Sequence, residues 1–89
     1  MGIQYHIRAQ EGDVAPYVLL PGDPGRVEVI ASGWDSFHKV AANREYTTYT
    51  GVYKGMPISC TSTGIGAPST AIALEELARI GATSFLRVG

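Results

Sequence analysis

The sequence predicts an α/β fold, a sheet with helices packed on it, and three observations carry that prediction. Apolar and β-rich runs alternate with two helical patterns in the order β-α-β-β-β-α-β. Each helical pattern opens on a turn rich in glycine and proline that follows directly on a β-rich run, the sequence form of a strand-to-helix connection. Hydrophobic residues make up 45% of the chain and charged residues 17%, a balance that supports a packed core and excludes a disordered chain.

The elements follow in chain order. Tyr17–Leu20 is expected to be a buried strand, ended by Pro21-Gly22-Asp23-Pro24-Gly25. A helix is expected from Pro24 to about Ser32 and is stopped by Gly33. Asp23 suits its N-cap, and Pro24 suits the first turn, where a missing N–H costs nothing. Phe37–Ala41 is expected as a second strand and Arg44–Tyr53, rich in Thr and Tyr, as a third. Lys54-Gly55 then reads as the hairpin turn into a fourth strand, Pro57–Thr63. Residues 71–82, AIALEELARIGA, hold the strongest helical pattern, with Pro68 near its start and Gly81 just past its end. Ile72, Leu74, Leu77, Ala78 and Ile80 are expected inward, and Glu75, Glu76 and Arg79 mostly outward, with Glu75 and Arg79 at ion-pair spacing. Thr83–Val88 is a last apolar strand. It runs to Gly89 with nothing beyond to turn or cap it, from which a chain cut short is expected.

Composition also bounds function. A chain of 89 residues holds at most one small domain. The net charge of −1 leaves no polycationic face for nucleic acid or anionic lipid. No apolar run approaches the roughly 20 residues needed to span a bilayer, and MGIQYHIRAQ has no signal-peptide hydrophobic region. The single cysteine, Cys60, precludes an internal disulfide framework, fits a reducing cytoplasm, and reads as a small core hydrophobe inside Ile58-Ser59-Cys60-Thr61-Ser62.

Chemistry concentrates in two glycine turns and three arginines. Gly22 and Gly25 flank one strand-to-helix turn, and Gly64 and Gly66 flank the other. Such turns aim backbone N–H groups at a bound anion, though they also occur as ordinary tight turns. Neither is a complete nucleotide fingerprint: Ser69 stands where GxGxxG needs its third glycine, which disfavours a dinucleotide-binding domain, and no GK[ST] follows. Arg26 sits at a helix start, where the helix dipole disfavours a cation. Arg87 interrupts the last apolar strand near its carboxyl end, where ligands of open α/β sheets bind. Arg44 stands beside Glu45. Solvation of Arg26, or an internal ion pair of Arg87 with Glu75, Glu76 or Asp23, is the alternative to an oxyanion site. The guanidinium fork suits phosphate, and three such arginines beside a glycine turn favour the oxyanion.

PGDPGRVEVIA, NREYTT, STGIGAPSTAIALEELARIGA and FLRVG resemble, in this order and spacing, the N-terminal third of the nucleoside phosphorylase family, with the uridine phosphorylases the nearest wording. The resemblance covers nearly the whole chain. It implies a mixed sheet flanked by helices, of which residues 1–89 would be the N-terminal portion of one domain, ending before the nucleobase- and ribose-binding half. By the same resemblance Gly22, Arg26 and Arg87 bind phosphate, and Arg44 reaches the neighbouring subunit's site. The family's phosphate-binding threonine would follow directly after Gly89.

The resemblance further implies that His6, in Tyr5-His6-Ile7, reaches the ribose of an adjacent subunit; the alternative is a surface histidine on a mobile terminus. His38 has no motif support and is expected to be structural. Glu45, Ile65 and Ser69 match positions that hold potassium between paired subunits in some uridine phosphorylases, although Glu45 could equally pair with a neighbouring Arg or Lys. A cytoplasmic homohexamer built of dimers is implied, with a nucleoside and inorganic phosphate as substrates, no nucleic acid or membrane partner, and no cofactor required for the chemistry. The implied reaction is uridine plus phosphate to uracil plus ribose 1-phosphate, with a purine nucleoside or methylthioadenosine phosphorylase as the alternative. An isolated 89-residue piece is expected to be inactive, at most a phosphate-binding fragment.

Overall fold

The computed structural model describes residues 2–88. Its elements are β1 (Tyr17–Pro21), α1 (Pro24–Ala31), β2 (Ser36–Asn43), β3 (Tyr46–Tyr53), β4 (Met56–Thr61), α2 (Ala67–Arg79) and β5 (Ser84–Val88). All seven expected elements are present in the expected order. The strands make one mixed sheet in the order β2-β3-β4-β1-β5. β1 runs parallel to both β4 and β5, while β2, β3 and β4 form antiparallel pairs. Gly89, where the sequence suggested an uncapped strand end, lies outside the described residues.

Local chemistry explains most boundaries. Asp23 is extended and its carboxylate accepts from the Gly25 N–H at 2.9 Å, capping α1 with Pro24 in the first turn. α2 is capped by Gly66, which offers no side chain; instead the Ser69 and Thr70 hydroxyls donate back to the Gly66 carbonyl at 2.9 and 3.1 Å. Lys54 and Gly55 both adopt positive φ, 51° and 82°, the pair of left-handed residues that matches a two-residue turn to the strand twist. Gly51 is required by close approach: a Cβ there would lie 2.0 Å from the Ser36 carbonyl oxygen.

Several element ends shift by a few residues from expectation, and one differs in kind. Arg44 does not open a strand. β2 and β3 pair as far as Asn43 opposite Tyr46, so Arg44-Glu45 is a two-residue turn, and Arg44 adopts φ 55°.

The sheet's two faces carry different cores. On one, Leu19, Tyr49, Ile58 and Cys60 meet Val27, Ala31 and Trp34 beneath α1. On the other, Ile7, Ala9, Val18, Leu20 and Tyr46 meet Ala73, Leu77, Ile80 and Ala82 of α2 and its continuation. Side-chain alternation places Thr48, Thr50, Ser59 and Thr61 on this second face with Tyr46. Thr48 and Thr61 share a 2.9 Å hydroxyl contact and Thr50 and Ser59 one of 2.7 Å. The segment before β1 covers them: Thr50 donates to the Asp13 carbonyl at 2.7 Å, and Ser59 accepts from the Ala15 N–H at 2.8 Å.

The α2 stripe also departs from expectation. Ala78 is exposed and Glu76 is buried at 5% exposure, whereas Glu75 and Arg79 are exposed and paired as expected. Ala73, Glu76, Leu77 and Ile80 form the inward stripe, whose 3-and-4 spacing is that of one helix face. Cys60 is fully buried, as expected of a core hydrophobe, and burial pushes its thiol up to about 12.

Candidate functional site

Because β1, β4 and β5 are parallel, their carboxyl ends lie along one edge of the sheet. β1 ends at Pro21 and β4 at Thr61, and the two glycine turns follow side by side. The Thr63 N–H donates to the Pro21 carbonyl at 3.0 Å and the Gly64 N–H to the Gly22 carbonyl at 2.9 Å. A Cβ on Gly22 would approach the Gly64 carbonyl oxygen to 3.4 Å, so small residues let the turns touch. Gly64 itself has φ 73°. Arg87, on β5, lies opposite Leu20, two residues before Gly22, and Arg26 lies at the third position of α1 just after that turn.

Arg26, Arg44 and Arg87 are all exposed, and among the described residues none of them pairs with an acid. Arg87 therefore forms none of the internal ion pairs weighed as alternatives, and α1 has no acid in its first turn beside Arg26. Free guanidinium groups next to glycine turns are equipped to take an anion.

A second feature adjoins this edge. Gly64 sits so close to the β2–β3 turn and α2 that a Cβ on it would lie 3.1 Å from Ser69 Oγ and 3.2 Å from Glu45 Cγ. Beyond them opens a cleft of about 510 Å³, lined by Tyr5, His6, Arg8, Arg44, Glu45, Ser69 and their neighbours. His6 sits in a hydrogen-bonded turn. The turn holding it is closed by Gln4 N–H to the Ala9 carbonyl, 2.9 Å, and Arg8 N–H to the Gln4 carbonyl, 3.0 Å. The Asn43 amide donates to the His6 carbonyl at 2.7 Å.

Glu76 completes the anchorage. Its carboxylate accepts from the His6 and Ile7 backbone N–H groups, both at 3.0 Å, and lies 2.7 Å from His6 Nδ1. Burial pushes the Glu76 carboxyl up, but the donors of Ile7 and His6 outweigh it and hold it below the usual carboxylate range. Tyr46 closes the floor, donating to the Ser69 carbonyl at 3.0 Å; burial first, then the charges of Glu45 and Glu76, push its phenol up.

Residues 16–89 match the family described as the phosphorylase superfamily. The chain belongs to that superfamily. A uridine phosphorylase of Thermococcus kodakarensis is 67% identical to it over 88 residues, covering 99% of this chain and 32% of the relative. The crystal structure of a uridine phosphorylase from Vibrio fischeri ES114 is 50% identical with a TM-score of 0.97, covering 100% of this chain and 37% of that one. A purine nucleoside phosphorylase from Toxoplasma gondii, solved in complex with immucillin-H, is 45% identical with a TM-score of 0.94, over 98% of this chain and 35% of that one. The chain thus spans about a third of the length of the relatives it matches.

In this member of the superfamily the expected residues fall into two groups. Gly22, Arg26 and Arg87 gather at the carboxyl ends of the parallel strands, while His6, Arg44, Glu45 and Ser69 line the cleft. Ile65, next to Gly64, has a 97% exposed side chain. His38, on β2, is exposed and lies outside the cleft. Among the described residues no three His, Cys, Asp or Glu side chains converge to hold a metal, and no helix is long and apolar enough to cross a membrane. Sequence reasoning missed Arg8, which lines the cleft with its guanidinium carbon 5.5 Å from the centre of the Tyr5 ring, and it missed Glu76.

Proposed function

We propose that these residues form the N-terminal, phosphate-holding portion of a nucleoside phosphorylase domain, and that the nucleoside is uridine. One observation supports the reading: a glycine turn and two unpaired arginines, Gly22, Arg26 and Arg87, all belong to the carboxyl-end side of neighbouring parallel strands. The names of the Thermococcus and Vibrio relatives support uridine as the nucleoside. The Toxoplasma structure favours a purine nucleoside as the second reading; methylthioadenosine belongs to the same alternative.

Phosphorolysis needs a phosphate dianion fixed beneath the anomeric carbon. One phosphate oxygen bonds to that carbon as its bond to the base nitrogen breaks, and the bonding pair leaves with the base, which takes up a proton. The products are uracil and ribose 1-phosphate. The transition state resembles an oxocarbenium ion, so a positioned anion serves as nucleophile and as electrostatic partner. Arg26, Arg87 and the Gly22 backbone hold that anion, and no enzyme nucleophile is required. Arg26 then meets a negative charge that offsets its conflict with the helix dipole.

His6 and Arg44 line the cleft, a placement suited to serving a neighbouring subunit's site in a hexamer of paired subunits within the cytoplasm. Glu45 and Ser69, side by side at Gly64, would share a potassium ion with the Ile65 carbonyl at such a pairing.

The first test is the intact mass of the purified polypeptide followed by phosphorolysis assays with uridine and inosine. Phosphate-dependent release of uracil is expected from a polypeptide about three times this chain's 9.5 kDa, and phosphate binding alone from one of 9.5 kDa. A steep preference for inosine would replace uridine by a purine nucleoside. Release of base without phosphate would overturn the reading.

A further inference from the structure

The bond between Glu76 and His6 does more than tie two segments together. Glu76 is 5% exposed, and its carboxylate faces three donors at once: the His6 and Ile7 backbone N–H groups and the His6 ring. A carboxylate held ionised can only accept. The proton between it and His6 Nδ1, 2.7 Å apart, therefore belongs to the ring. When the imidazole is neutral, a proton on Nδ1 leaves Nε2 with a lone pair and no proton, and among the described residues Nε2 has no hydrogen-bond partner. The ring is half-buried, with 39% of the side chain exposed. It stands edge-on to Tyr5 and Tyr46, with centroids 4.9 and 6.4 Å away, and lines the cleft.

We infer that Glu76 is a positioning residue that fixes His6 as the Nδ1–H tautomer, so that Nε2 presents an acceptor to the cleft for a hydroxyl of the sugar. This rests on the reading of the cleft as part of a nucleoside site. Without the carboxylate the imidazole is free to carry its proton on either nitrogen and to turn. The Nε2–H form would then offer a donor where a hydroxyl has a proton to give. Because the same carboxylate grips the backbone of His6 and Ile7, tautomer and ring position are set together.

Two measurements on the intact polypeptide test this. In the unmodified protein with 15N-labelled histidine, two-bond proton–nitrogen correlations should show neutral His6 with its proton on Nδ1; a proton on Nε2 would overturn the inference outright. In Glu76→Gln, the amide has one accepting oxygen and cannot satisfy all three donors. KM for the nucleoside should then rise about tenfold, with KM for phosphate within about twofold. In a His6→Ala background the same substitution should add nothing further to the nucleoside KM. Equal rises in both KM values, or a full additional loss in the His6→Ala background, would leave Glu76 a purely structural residue and overturn the proposal. Should Glu76→Gln fail to fold, the tautomer of the unmodified protein still decides. Should the polypeptide lack phosphorolysis altogether, the proposed function fails while the tautomer measurement judges Glu76 independently.

Discussion

Beneath α1 the sheet offers Leu19, Tyr49, Ile58 and Cys60 to Val27, Ala31 and Trp34. Beneath α2 it offers Val18 and Leu20, but also Tyr46, Thr48, Thr50, Ser59 and Thr61, and the helix returns a buried carboxylate. The first face is held by non-directional burial, which tolerates changes of shape so long as volume is kept. The second adds to a larger apolar cluster a set of hydrogen bonds of fixed direction, which tolerate little, because a stranded buried donor loses its full solvation. The directional face is the one that holds His6, the β2–β3 turn and the cleft. Rigidity is placed where position matters for chemistry, and ordinary packing does the rest.

The sharpest way to break this comparison is Glu76→Ala. It strands the His6 and Ile7 donors and should destabilise the protein by about 3 kcal/mol, against about 1–2 kcal/mol for Val27→Ala on the opposite face. Urea unfolding midpoints at constant m-value measure both. Glu76 also gives the second face a pH dependence. Its folded carboxyl lies below its ordinary value near 4.5, so its contribution is complete above that value and is lost as pH falls through the folded one. Midpoints from pH 6 to pH 3 should fall less in Glu76→Gln than in the unmodified protein.

Arg87→Ala and Arg44→Ala probe the opposite kind of residue, exposed and unpaired. Stability should change by less than about 0.5 kcal/mol. KM for phosphate should rise about 10- to 100-fold in Arg87→Ala, the loss of one charge-assisted contact, and the affinity of the unmodified protein should weaken with salt. Unchanged phosphate dependence would mean the anion sits elsewhere.

The helix caps give the smaller effects. Asp23→Ala removes the side-chain cap of α1 and should lower stability by about 1 kcal/mol. Gly66→Ser would give α2 the cap it lacks, in a backbone conformation that suits serine and with only ordinary contacts around the new Cβ. A gain of a few tenths of a kcal/mol is expected. Thermal unfolding separates the two.

Most of the fold was legible because its signals are local. Asp23-Pro24 writes a helix start, Lys54-Gly55 writes a hairpin, and Gly81 writes a helix stop. The β2–β3 turn was not, because Arg44 adopts its left-handed conformation without being Gly, Asn or Asp. Glu76 escaped notice for a different reason. Its acid identity says surface, while its place in the Ala73–Leu77–Ile80 stripe says core. What resolves the conflict is a set of donors 69 and 70 residues away in sequence. The arginines and glycines of the candidate site were readable as misfits to their own elements. The cleft, assembled from three separate segments, had no local signature.

Cys60 lies on β4 with β3 and β1 on either side, fully buried, its thiol pushed up to about 12. At neutral pH almost no thiolate exists there, and no reagent can reach it while the sheet is intact. The one sulfhydryl is thus a built-in clock. The rate at which an alkylating agent consumes it, set against its rate in the unfolded chain, counts how often the middle of the sheet comes apart. Fraying at the edges leaves that count unchanged.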